Sequence, residues 1–166
     1  MANRPRPTLG GTTISSRVGI RYKVGGEAVT LYDLEHGILR EKFNEPRVDF
    51  AIVCASVSCP KLQPWAFEGT KLEQQFDKAA REFVNDPSRN CFDRQRKVAY
   101  LPRIFDWFEE DFVSSAGSVQ KFIAQYVQDP DVARKQMTEP YRIEYLEYDW
   151  TLNGTPPKKV EHAGSS

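Results

Sequence analysis

The sequence predicts an α+β domain, a small and mostly antiparallel sheet with helices packed on it. Three observations carry this. Apolar stripes at helical spacing and alternating strand-like runs follow one another without a regular strand–helix–strand series. Pro, Gly and Asn-Asp signals sit at the ends of those runs. The 10 Phe, 7 Tyr and 3 Trp among 166 residues can anchor a core.

Each element follows from local chemistry. Val18 to Val24 alternates apolar and non-apolar residues, Gly25-Gly26 supplies a turn, and Glu27 to Thr30 returns, which predicts a β-hairpin. Thr30, with Asp33 three residues on, caps a helix that runs to about Lys42 and stops before Asn44-Glu45-Pro46. Phe50 to Ala55 is apolar without alternation, as expected of a central strand covered on both faces. Ser56 to Pro64 is a turn region. Thr70-Lys-Leu-Glu73 has the capping-box pattern, and Leu72, Phe76, Ala79, Ala80 and Phe83 follow on one helical face, ended by Asn85-Asp86-Pro87. Lys97 to Leu101 reads as a short strand. Arg103 to Phe112 reads as a helix, as does the stretch from Ser118, with Val119, Phe122, Ile123, Tyr126 and Val127 on one face and Asp129-Pro130 ending it. Asp131 to Met137 is a short helix. Tyr141 to Tyr148 alternates and reads as a last strand.

Length fits one domain, placed at 17–153, with a Pro-, Gly- and Thr-rich arm at 1–16 and a tail at 154–166 that puts His162 outside any site. Lys plus Arg and Asp plus Glu are both 23, so net charge is zero and gives no global attraction to nucleic acid or anionic lipid. The basic start, through Arg4, Arg6, Arg17, Arg21 and Lys23, reads as a solvated tail. No stretch approaches the roughly 20 apolar residues of a membrane helix. No apolar segment follows Arg4 and Arg6 as a signal peptide would require, so the cytoplasm is the default compartment and localisation stays open.

Two constellations could carry chemistry. On the first helix, Leu31, Leu34, Glu35, Ile38 and Leu39 share one arc, which places a carboxylate inside an apolar face. Glu35 must then find a donor or hold its proton. His36 sits at the arc's edge beside Tyr32 and Arg40. The structural alternative is a buried Glu35 bonded to backbone amides or Arg47, with a surface His36. The second constellation is Cys54-Ala-Ser-Val-Ser-Cys59-Pro60. Cys54 ends the apolar run, and Cys59 before Pro60 could cap a helix, where free N–H groups favour thiolate. The structural alternative is a buried Cys54 acting as a small hydrophobe.

The 3 cysteines, Cys54, Cys59 and Cys91, are an odd count and read as reduced thiols, with a Cys54–Cys59 bridge as the alternative for an exported chain. Zinc would need these three and His36, and no second close pair supports it. Dinucleotide, P-loop, zinc-protease and Gly-x-Ser-x-Gly patterns are missing, so no cofactor or metal is expected. The aromatic segments Ile104 to Phe108 and Tyr145 to Trp150 read as packing rather than as ligand-stacking surfaces.

Gly25-Gly26, Thr30-Leu31, Asp33 to Arg40, Pro46-Arg47, Phe50-Ala51, Cys54-Ala-Ser56 and Ser58-Cys59-Pro60 together resemble the family called domain of unknown function 547. Ile104-Phe105, Trp107, Asp111-Phe112, Tyr148-Asp149-Trp150 and Leu152-Asn153 extend the resemblance to about Tyr22–Asn153. It implies no established activity, and it allows a papain- or transglutaminase-like arrangement. Some bacterial relatives are exported. Relatives usually carry an upstream helix rich in Asn, Trp and Tyr, which this sequence lacks, so the resemblance implies an N-terminally truncated domain. The position of Asp49 is often His in relatives.

Two functions follow. The first is a thiol-dependent hydrolase or acyl-transferase acting on a small molecule or peptide. Its nucleophile is Cys59, or else Cys54, its base is His36, and Glu35 or Asp149 orients the base. The second is a non-catalytic module that binds a protein or peptide.

Overall fold

The computed structural model describes residues 19–154 and is α+β, with a hairpin, a three-stranded sheet, six helices and two short 3-10 turns. The arm expected at 1–16 and all but Gly154 of the expected tail lie outside the described residues.

Strands β1 (Arg21–Val24) and β2 (Glu27–Thr30) pair antiparallel, with Gly25 and Gly26 both at positive φ in the turn. The expected cap forms reciprocally. Thr30 Oγ1 accepts from Asp33 N at 3.0 Å, and Asp33 Oδ2 accepts from Thr30 N at 3.1 Å. Helix α1 (Asp33–Arg40) is wound as a π-helix. A single-turn helix, Pro46–Phe50, follows, with Pro46 at its start and the Glu45 side chain accepting from Arg47 N. Then come α2 (Leu72–Val84), β3 (Cys91–Asp93), β4 (Val98–Leu101), α3 (Ile104–Trp107), α4 (Glu109–Ala116), α5 (Val119–Ala124), α6 (Pro130–Thr138) and β5 (Arg142–Tyr145). In the sheet β4 is central, antiparallel to β3 and parallel to β5.

Phe50 is the hub of the core. Its ring lies 4.8 Å from that of Phe83, 5.8 Å from Phe105, 5.9 Å from Phe112 and 6.1 Å from Phe122. One side chain thereby joins the short helix to α2, α3, α4 and α5. Arg47, three residues earlier, ties the same segment to α2 through Glu73 at 2.7 Å and Asp77 at 2.8 Å, while also bonding Glu45. The Glu45 carboxylate above all holds its guanidinium charged.

Several expectations need correction. Phe50 to Ala55 is not a strand; the chain turns in a short helix and then runs irregularly. Its apolar content goes to the Phe50 hub, while Ile52 and Val53 are only half-buried and Cys54 is exposed. Thr70 does not cap α2, because Glu73, its expected partner, bonds Arg47 and α2 starts at Leu72 without a side-chain cap. The single helix expected at 103–112 breaks at Phe108 into α3 and α4. Ser118 and Asp129 do cap α5 and α6 through their side chains.

Phe122 is 1% exposed and its ring packs against those of Phe50, Phe112 and Tyr126. Phe122→Ala should therefore cost about 3–5 kcal/mol in urea unfolding. Phe76→Ala should fall at or below the lower end of that range, because Phe76 lies outside the central cluster, against Phe67 and Arg47.

Candidate functional site

The segment after Phe50 is fixed by the far end of the chain. Val57 N donates to Thr151 O at 2.9 Å, Ser58 N to Asp149 O at 3.2 Å, and Asn153 N to Ala55 O at 2.7 Å. Asp149 N donates in turn to Ser58 Oγ at 2.9 Å. Ala55, between these contacts, has φ 61°, a conformation costly for a residue with a Cβ. This bend folds the chain back so that Cys54 N donates to Cys59 Sγ at 2.8 Å.

The two cysteines end in different surroundings. Cys59 is 3% exposed and Cys54 is exposed, and both are free thiols. Around Cys54 Sγ stand Ser56 Oγ at 3.2 Å and Tyr148 OH at 3.4 Å, themselves 2.8 Å apart. The Cys59 thiol, then the Ser56 and Tyr148 hydroxyls and the Ser56 amide, hold Cys54 well below the usual thiol range against the opposing effect of burial. Donation to Cys54 and burial push Cys59 upward. Burial, then the hydrogen bond to Cys54, keeps Tyr148 a protonated phenol and hence a donor.

Proton counting orders this triangle. Two hydroxyls own two protons, and three edges compete for them when Cys54 is a thiolate. The shortest edge, between the oxygens, requires a proton. Either hydroxyl can donate along that edge, and the other then donates to the sulfur. Tyr148 also belongs to an aromatic stack. Its ring is 4.3 Å from Trp150 and 4.8 Å from Trp107, with the two Trp rings 5.5 Å apart. These half-buried rings pack on one another beside the thiol.

Cys59 does not cap a helix. The chain stays irregular after Pro60, so the helical amides expected to favour its thiolate are not there. Sequence reasoning singled out both sulfurs but missed Ser56 and Tyr148 as donors. Tyr148 lies 94 residues from Cys54, and only the 149–153 pairing brings it there.

The first constellation is built around Arg40. Glu35 is 8% exposed, with Oε1 3.8 Å from His36 Nε2 and 3.9 Å from Arg40 Nε. Residues 35 and 40 are five apart, the spacing that i→i+5 winding brings together. Glu35 thus forms an ion pair with Arg40, while Arg47, the expected partner, is committed to Glu45, Glu73 and Asp77. His36 rests on Tyr32, with centroids 4.4 Å apart. Leu31, expected in the buried arc, is exposed. Asp149 uses its carboxylate on Thr151, bonding both N and Oγ1, and so serves the pinned turn. The described contacts of His36 are with its own helix, whereas those of Cys54 are with the pinned loop and Tyr148.

Arg40 also bonds Asp49 and Asp111 and lies 3.7 Å from the Phe108 ring centre. One guanidinium thus faces three carboxylates. Asp49 is 4% exposed, with Oδ2 lacking a partner among the described residues. Burial first, then repulsion from Asp111 and Glu35, pushes its carboxyl up to about 7 despite the attraction of Arg40. An open cavity of about 830 Å³ lies along α2, lined by Pro60, Lys61, Asp86 and Arg89 among others, but neither Cys54 nor His36 lines it. Among the described residues no group of three or more His, Cys, Asp and Glu is placed to hold a metal ion, and no helix is long and apolar enough to cross a membrane.

The Asp49 shift has a measurable consequence. Between pH about 4 and about 7 the folded protein holds a proton that the unfolded chain has released. Stability should therefore fall as pH rises through that window, by on the order of 4 kcal/mol, and level off above it. Asp49→Asn should flatten this limb in urea unfolding across the pH series. An equally steep limb in the variant would assign it to another group.

The family model described as protein of unknown function, DUF547, matches residues 13–84. That span takes in the hairpin, α1 and the Cys54–Cys59 loop, while Trp107 and Tyr148 to Trp150 lie beyond it. No curated protein and no solved structure matches the chain. Over residues 13–84 the chain is similar to the DUF547 family, whose function is unknown.

Proposed function

We propose that the protein is a thiol-dependent hydrolase or acyl-transferase with Cys54 as its nucleophile. One observation carries this reading: an exposed sulfur with the Ser56 and Tyr148 hydroxyls at 3.2 and 3.4 Å, in a loop whose backbone is held at both ends. A thiolate stabilised in this way stands ready before substrate arrives, without a base to deprotonate it. Its sulfur attacks an acyl carbonyl carbon, the C–S bond forms, and the carbonyl electron pair moves to oxygen. Collapse expels the leaving group, which takes a proton, and water or an acceptor then cleaves the thioester. In this reading His36, with Glu35 beside it, takes the proton from that water or acceptor. Cys59, shielded and shifted upward, supports Cys54 rather than attacking.

Iodoacetamide at about pH 6.5 should alkylate Cys54 faster than free cysteine, and faster than the exposed Cys91 in the same molecule. Ser56→Ala should raise the midpoint of the pH–labelling profile by about one unit, the loss of one hydrogen bond to a charged sulfur. Tyr148→Phe should raise it too, because the phenol completes the triangle. His36→Ala should leave labelling unchanged and slow the release of acetyl from protein acylated with p-nitrophenyl acetate. Labelling of Cys54 no faster than that of Cys91 would overturn the reading.

A second reading, a peptide- or protein-binding module, is favoured by Ile20, Tyr22 and Val24, which alternate along the hairpin and are all exposed. An ordinary Cys54 labelling rate together with self-association in size-exclusion chromatography would support it.

A further inference from the structure

The paired thiols have the parts of a redox couple. Their chain segment is closed on itself. Cys59 N donates to Ser56 O at 3.1 Å, the left-handed Ala55 reverses the chain, and Cys54 N reaches Cys59 Sγ at 2.8 Å. A sulfur that close to the other cysteine's backbone nitrogen puts the two Cα atoms within the separation a disulfide spans, about 4.4–6.8 Å. One is exposed and the other buried. This asymmetry lets an oxidant reach one sulfur and leaves the second to resolve the product.

We propose that Cys54 and Cys59 form a reversible disulfide when the protein meets a hydroperoxide, and that this switches off the Cys54 nucleophile. The inference rests on the reactive-thiol reading of Cys54 and adds a partner and a regulation to it. Thiolate sulfur of Cys54 attacks the peroxide. An S–O bond forms, the O–O bond breaks, and the departing oxygen takes a proton and leaves as water or alcohol. Cys59 sulfur then attacks Cys54 Sγ. The S–S bond forms, the S–O bond breaks, and hydroxide leaves as water with the Cys59 proton. The dithiol loses two electrons and the peroxide gains them. A dithiol such as dithiothreitol reverses the step by exchange. Bridging removes the negative sulfur that Ser56 and Tyr148 surround.

The test uses the full chain with Cys91→Ser, which removes the third thiol and an exposed route to intermolecular bridges. The reduced protein is treated with equimolar hydrogen peroxide, quenched with iodoacetamide and cut with trypsin after Arg47 and Lys61. The expected result is a peptide 48–61 that carries no alkyl group, is two hydrogens lighter, and regains both alkylation sites after dithiothreitol. In addition, Cys59→Ser should leave a sulfenic acid on Cys54 that dimedone traps. Dimedone-trapped Cys54 beside an alkylated Cys59 in the parent chain would overturn the pair. Rapid iodoacetamide labelling of Cys54 without any bridge would overturn the pair alone and leave the thiolate reading standing. Slow labelling and no oxidation would remove both.

Discussion

Three main-chain hydrogen bonds between residues 55–58 and 149–153 hold the candidate site together. They do for the cysteine loop what a sheet ladder does for a strand, since they satisfy the backbone and leave side-chain direction no freedom. Ala55 tolerates its left-handed backbone only because Asn153 holds its carbonyl and Cys59 N holds that of Ser56. With the loop fixed, Ser56 points one hydroxyl at the sulfur and Tyr148 completes the triangle from the other segment. The chemistry of Cys54 is thus a property of two pinned segments rather than of the cysteine itself.

Two arginines organise the other half of the molecule in contrasting ways. Arg47 binds Glu45, Glu73 and Asp77 at a partly solvated edge, where each pair contributes modestly and the set fixes the short helix on α2. Arg40 is placed deeper, against Phe108, and faces Glu35, Asp49 and Asp111. One cation cannot neutralise three clustered anions, two of them buried, so the most buried takes up a proton easily. The π winding of α1 aligns Glu35 with Arg40, and His36 follows Glu35 in sequence.

Much of the fold was legible because it is local. The Gly25-Gly26 hairpin, the Thr30–Asp33 cap and the Ser118 and Asp129 helix starts each depend on residues a few positions apart. The run from Phe50 to Ala55 misled because an apolar stretch looks the same whether it fills a sheet or supplies one hub residue. The three-residue β3 was too short to register, and the parallel β4–β5 pairing is set by contacts distant in sequence. At the site, the residue types were visible but their grouping was not. Glu35 needed five-residue winding to meet Arg40, and Cys54 needed Tyr148 from 94 positions away.

That last separation bears on how the protein is made. A ribosome releases Cys54 and Ser56 long before it synthesises Tyr148 and the 149–153 segment. Until those residues emerge and dock, the sulfur sits in an unpinned loop as an ordinary, mostly protonated thiol. On the proposed reading of Cys54, nascent chains are spared a potent nucleophile at the stage when they are least compact, and the thiol is activated only in a finished domain.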